Sequence, residues 1–304
     1  MTSTPTKSNS ERTLFIFPVI ALVMLLAIRD LSLVDQTLIS AVLIVLLGLP
    51  HGAMDLPLSY HLKLWKNLRG LLIWLTGYVA LTLLCLAIWF LNPVLGLSIF
   101  FVITFWHFGA DWPTNGNVER MIFGIWVICL PVPSNPGATR EIFQELYQFT
   151  AYSDSASLMT TQVLCAGALI TSPYIAYRAL SHFYTGRPNM WLLDAAILLF
   201  AANTLPIILY FLLYFCSVHS PRHFFEIVKN TKLTGVMLSV VALTTLATVL
   251  LAAILWFSLE HIGTSSRLIH TVFAGLFALT VPHMVIVHLF EKTTLSQPSQ
   301  TSDD

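Results

Sequence analysis

From about residue 13 onward, apolar runs near the length of a bilayer crossing alternate with short polar breaks. A membrane helix needs about 20 mostly apolar residues, fewer where it is broken or tilted against its neighbours. On that measure the pattern predicts spans over residues 13–28, 37–55, 71–91, 94–110, 119–131, 157–179, 191–203, 205–218, 233–259 and 271–290. The fold class expected is all-α, a polytopic transmembrane helical bundle of about 8 to 10 spans, some of them short or broken. A polar tail is expected over 1–12, a single transmembrane domain over 13–290 and a second polar tail over 291–304. The first apolar run is followed by no small-residue cleavage site, so it reads as a retained span and not as a signal peptide. The stretch from Pro131 to Ser157 holds Pro131, Pro133, Pro136 and Gly137 and is net acidic, which suits an outer loop with a short interfacial helix near residues 140–149.

Orientation follows from the basic residues, which favour the cytoplasmic side. Lys7 and Arg12, then Lys63, Lys66 and Arg69, then Arg178 and Arg187, then Arg222, Lys229 and Lys232 all fall on that side if residues 191–218 cross twice. The turn would then lie near Asn203 to Pro206. One long kinked span there would put the last cluster outside.

Composition agrees with the pattern. Of 304 residues, 56% are hydrophobic and 10% charged, against roughly 25% charged in soluble proteins. The net charge is zero and the basic residues are scattered, so no nucleic-acid partner is indicated. Cys85, Cys129, Cys165 and Cys216 stand singly in apolar runs. Without C-x-x-C spacing they argue against disulfides, a thiolate zinc site or an iron-sulfur cluster, and they read as packing residues. The 20 Phe, 9 Tyr and 8 Trp serve interfacial belts and core, and would also line a route for a long apolar substrate.

The chemistry sits at span ends. Gly48-Leu49-Pro50-His51-Gly52-Ala53-Met54-Asp55 is a polar, helix-breaking interruption, and His51 and Asp55 at four-residue spacing would share one helix face. Trp106-His107-Phe108-Gly109-Ala110-Asp111 repeats the spacing, and His219-Ser220-Pro221-Arg222-His223 adds an i, i+4 histidine pair. Ionisable groups at such depth are costly unless used or paired. The two-crossing arrangement brings His51, His107, His219 and His223 to one side, with Pro282-His283 near the same level. Such a set suits one metal ion, and imidazole suits iron, copper, zinc and nickel alike. Polar bonding between helices is the plainer account. Asp55 and Asp111 are either direct ligands or acceptors of a ligand histidine's outer N–H; the second option leaves the metal its full charge and an open position. His283 fits a ligand, an outer partner or a structural role. His61, His182, His261 and His270 read as interface residues near loops, and His288 lies about a turn beyond His283.

Over most of the membrane region, and most specifically at Gly48 to Asp55, His107-Phe108-Gly109, His219 to His223 and Pro282-His283, the sequence resembles the Brp/Blh family of bacterial and archaeal β-carotene 15,15′-dioxygenases. The resemblance implies a multi-pass enzyme of the bacterial or archaeal inner membrane, its catalytic domain being residues 13–290. It implies non-haem Fe(2+) as cofactor, O2 and β-carotene as substrates, and central cleavage to two all-trans-retinal molecules that could supply a rhodopsin. It further implies His51, His107, His219 and His223 as iron ligands, with Asp55, Asp111 and His283 as outer groups or additional ligands. Two other classes fit the same histidines: a haem protein with paired axial ligands, and a transporter of metal or protons. A di-iron desaturase would need more histidine boxes than the one present.

Overall fold

A computed structural model describes residues 6–184, 190–231 and 235–296; Arg187, Lys232 and the terminal residues 1–5 and 297–304 lie outside that set. Helix dominates, and no strand occurs among the described residues. The first part of the chain forms α1 (Thr6–Ala27), α2 (Leu33–Leu43), α3 (Leu49–Gly52), α4 (Asp55–His61), α5 (Leu68–Leu91), α6 (Pro93–Gly109) and α7 (Asn117–Cys129). Then follow α8 (Pro136–Leu146), α9 (Ser153–Tyr184), α10 (Met190–Thr204), α11 (Ile207–Leu213), α12 (Ser220–Thr231), α13 (Gly235–Ser258) and α14 (Thr264–Ser296). Two wider π-helical turns, Ile44–Gly48 and Tyr214–His219, join α2 to α3 and α11 to α12.

Local chemistry explains where the rods start. Asn67 Oδ1 accepts the Gly70 N–H at 2.8 Å to begin α5, and Asn92 Oδ1 accepts the Leu95 N–H at 3.1 Å to begin α6, with Pro93 in its first turn. Five helical stretches, Leu33–His61, Leu68–Leu91, Ser153–Tyr184, Met237–Ser258 and Thr264–Thr293, are long and apolar enough to cross a membrane. Shorter apolar helices, Ile16–Ala27, Pro93–Gly109 and Met190–Thr204, accompany them. The outward faces are apolar too: Leu91, Ile170 and Phe183 are each at least three-quarters exposed. So much exposed apolar surface suits lipid and not water.

The segment between Met190 and His219 is a hairpin. Arg222 on α12 donates to Asp194 on α10 at 2.5 Å, although 28 residues separate them. A continuous helix would hold them about 42 Å apart at about 1.5 Å per residue. Leu205 and Pro206 break the helix, so α10 and the α11–α12 limb run antiparallel and bring His219 back to the level of His51 and His107. At the opposite end Ser134 donates to Asn203 at 2.9 Å, tying the α7–α8 turn to the hairpin's tip.

α6 and α7 pack at backbone distance because glycine lies on both. A Cβ on Gly109 would overlap the Arg120 carbonyl, and one on Gly124 would overlap the Phe105 carbonyl. Several ends differ from the hydropathy pattern. α1 starts at Thr6, inside the expected tail 1–12, and α14 runs to Ser296, into the expected tail 291–304, because neither stretch holds a proline or glycine that would stop a polar helix. The short helix expected near residues 140–149 is α8, which starts earlier, at Pro136, and buries Ile142, Phe143 and Leu146 against the bundle.

Candidate metal centre

Five histidines from separate elements meet in the bundle. His51 is the last residue but one of α3, His107 lies in the last turn of α6, His219 closes the second π turn, His223 is in the first turn of α12 and His283 is in mid-α14. Ring centroids stand 5.2 Å apart for His51 and His219, 5.3 Å for His51 and His283, 4.6 Å for His107 and His219, and 5.4 Å for His223 and His283. Donor atoms of His51, His107 and His283 all lie within 4.8 Å of one another, and all three side chains are buried. His107 Nε2 and His219 Nε2 approach to 3.1 Å. His283, ranked with the aspartates in the sequence, thus stands at the centre of the imidazole cluster.

The outer nitrogens are tied down. His51 Nδ1 donates to the Gly48 carbonyl, three residues back. His219 Nδ1 donates to Asp111 Oδ2 at 2.9 Å, and His283 Nδ1 donates to Asp55 Oδ1 at 2.7 Å. With the proton held on Nδ1, each Nε2 keeps its lone pair for the interior. His107 Nδ1, His223 Nε2 and His283 Nε2 are buried and lack a hydrogen-bond partner among the described residues. Buried imidazole nitrogens rarely stay unsatisfied in a finished interior, and the donor atoms of His51, His107 and His283 are close enough to one another to hold a metal ion.

The aspartates serve histidines other than the ones their spacing suggests. Asp55 and Asp111 do not share a helix face with His51 and His107, because α3 ends at Gly52 and α6 at Gly109, and a turn intervenes before each aspartate. Each carboxylate therefore points across the bundle to an imidazole on a distant element. Each also accepts from a tyrosine: Tyr78 OH donates to Asp55 Oδ2 at 2.9 Å and Tyr214 OH to Asp111 Oδ2 at 2.5 Å. Nothing in the sequence singled out these tyrosines, since a tyrosine in an apolar span is usually interfacial or core.

The two π turns shape the site. They pack against each other, and a Cβ on Gly48 would overlap the Phe215 ring, which a larger residue there would have to displace. Phe211, Phe215 and His219 stack in file, with centroids 5.4 Å and then 5.9 Å apart. That file runs beside an apolar cavity lined by Ile44, Phe101, Phe143, Phe211 and Tyr214. On the other side a polar cavity of about 250 Å³ is lined by His107, Asp111, His219, His223, Glu226 and Glu291, among others. Two lining residues are held by ion pairs, Glu291 by Arg120 at 3.1 Å and Arg222 by Asp194 at 2.5 Å. Other histidines stand apart: His288 is exposed, five residues or about 140° from His283 on an α-helix. His270 is buried inside α14 and bonds the Glu145 carbonyl at 3.1 Å, since α14 starts earlier than expected and leaves no loop there.

Fold and site together define an all-α polytopic bundle that encloses a histidine-rich, thiolate-free centre. A model of the β-carotene 15,15′-dioxygenase family matches residues 42–291, which hold every residue of the cluster. The chain belongs to that family. It is 27% identical over 259 residues to the β-carotene 15,15′-dioxygenase of uncultured marine bacterium 66A03, covering 81% of this chain and 90% of that protein. No solved structure matches the chain.

Proposed function

We propose that this chain is a membrane-embedded non-haem iron oxygenase that cleaves the central 15,15′ double bond of β-carotene with O2 to give two molecules of all-trans-retinal. The observation that carries the metal reading is the charge and donor balance of the site. Five imidazoles converge between two carboxylates, the buried Asp55 and the largely enclosed Asp111, whose hydrogen bonds go only to histidine and tyrosine among the described residues. Three other acids near that end have arginine partners, Glu119 with Arg178, Asp194 with Arg222 and Glu291 with Arg120, while Glu226 is exposed. A divalent cation would balance the two carboxylates, and unbalanced charge in such an interior is expensive. The 3.1 Å spacing of His107 Nε2 and His219 Nε2 matches neighbouring ligands on an ion with bonds of about 2.1 Å, which stand about 3 Å apart. His51, His107, His219, His223 and His283 would hold the ion, and the absence of a thiolate among them favours iron over structural zinc.

Bound iron(II) would supply activation of dioxygen at an open position. The chain's own share is binding, orientation and exclusion of water. Asp111 and Asp55 keep His219 and His283 in the tautomer that presents Nε2, so no acid or base is needed from either. The apolar cavity beside the Phe211–Phe215–His219 file offers a dry bed for a polyene, and a substrate dissolved in lipid can enter it laterally between helices. A fixed bed converts an encounter into an oriented one, the main lever for choosing the central bond. Retinal leaving toward the membrane would be available to a rhodopsin.

Metal analysis, absorption spectrum and turnover of the purified protein test the reading together. Stoichiometric iron without a Soret band, and retinal as the product from β-carotene under O2, is the expected result. A Soret band, or iron-loaded protein that leaves β-carotene intact, would overturn it.

A further inference from the structure

Two three-residue chains of hydrogen bonds reach the histidine cluster from opposite sides, and each begins at a buried or half-buried tyrosine. In one, Tyr78 on α5 donates to Asp55 Oδ2 at 2.9 Å, and Asp55 Oδ1 accepts His283 Nδ1–H at 2.7 Å. In the other, Tyr214 donates to Asp111 Oδ2 at 2.5 Å, and the same oxygen accepts His219 Nδ1–H at 2.9 Å. The two chains share no residue. Each joins elements distant in sequence: α5, α4 and α14 in the first, the second π turn and the end of α6 in the second.

Geometry gives the second chain its form. Tyr214 and His219 are five residues apart, which on an α-helix turns one about 140° from the other. The Tyr214–His219 segment is instead a π turn with i→i+5 closure, so both side chains fall on one face and meet the same carboxylate. The wider turn is therefore tied to the tyrosine as well as to the histidine.

We propose that Tyr78 and Tyr214 are positioning residues for the metal centre, acting through Asp55 and Asp111. A carboxylate so largely enclosed by protein has several lone pairs to satisfy, and the histidine N–H takes one. Without a second donor the carboxylate can rotate, or draw the Nδ1 proton onto itself. Either change turns the imidazole away from the tautomer and direction that a metal needs. The phenol O–H fills the second place and leaves the carboxylate an acceptor toward histidine. This role rests on the metal reading above, but it requires no particular substrate.

The test uses Tyr78→Phe and Tyr214→Phe in detergent-purified full-length protein, with Co(2+) as the probe metal and its visible d–d bands as the readout. Each variant should weaken Co(2+) binding about 3- to 10-fold, less than the 10 to 100-fold of a direct outer partner. Each should also shift the d–d bands, with helix content unchanged. Phenylalanine keeps the ring, and the decisive arm does not depend on stability. In an Asp55→Asn background the Tyr78→Phe change should cost nothing further, because its effect passes through Asp55. Wild-type affinity and unshifted bands in both variants overturn the proposal, as does an undiminished Tyr78→Phe effect in the Asp55→Asn background. Wild-type protein that takes up no Co(2+) overturns both this role and the metal reading. Protein that binds Co(2+) with the predicted variant effects, yet cleaves no β-carotene when iron-loaded, overturns the substrate alone.

Discussion

A histidine in a dry interior is useful to a metal only if its second nitrogen is held, because a free ring can rotate or change tautomer. His51, His219 and His283 are held by Gly48, Asp111 and Asp55. Replacing His51, His107, His219, His223 or His283 by alanine should each remove most bound iron and nearly all retinal formation. The protein should still reach the membrane, since one imidazole contributes little to a bundle of this size. Metal analysis of the purified variants checks this, and full metal content in any one of them would strike that residue from the ligand set. Asp55→Ala and Asp111→Ala act one bond further out and should weaken metal binding about 10 to 100-fold. A titration in which either change abolishes binding would make that carboxylate a ligand. The histidine motifs were legible in the sequence because ionisable groups in apolar runs stand out. Their pairing with Asp55 and Asp111 was not, since helix ends at Gly52 and Gly109 turn each aspartate away from its neighbour in sequence.

At the scale of elements, position depends on close packing and on two departures from the α-helix. Gly109 and Gly124 let α6 and α7 touch along their backbones, which places His107 at the cluster. Gly124→Ala puts a methyl group against a carbonyl that cannot move aside as a side chain would. The expected cost is about 1–3 kcal/mol, read as a lower melting temperature and earlier proteolysis in detergent, with some loss of metal. A Gly124→Ala protein that melts with the wild type would show that the two helices can separate without strain. Hydropathy located most rods to within a few residues. It said nothing of the π turns, because an extra residue in a helix alters no average of apolarity but rotates all that follows.

For the whole molecule, charge bias and the histidine cluster make the same demand on topology. Arg120, Arg178 and Arg222 lie with their acidic partners at the end of the bundle that holds the site, whereas the Ser134–Asn203 contact lies at the other. Single cysteines at Lys66, Ser134 and Lys229, in a background lacking the four native cysteines, test the arrangement with impermeant probes. Lys66 and Lys229 should label from the cytoplasm alone and Ser134 from outside alone. Labelling of Lys229 from outside while Lys66 labels from inside would mean that residues 191–218 cross once, and His219 and His223 could not then share a metal with His51 and His107.

The sequence by itself determined that the chain is an all-α bundle suited to lipid, and it marked His51, His107, His219 and His223, with no thiolate motif beside them, as the place to look for chemistry. These follow from period, composition and the cost of polar groups in apolar runs, all of which are local properties of the chain. Only the tertiary structure decided that His283 stands among the imidazoles, that each aspartate serves a histidine from a distant element, and that Tyr78 and Tyr214 complete both chains. Those are contacts across more than 100 residues of sequence in most cases, and which face of a helix meets which partner is set by packing, glycine contacts and π turns that no hydropathy pattern records.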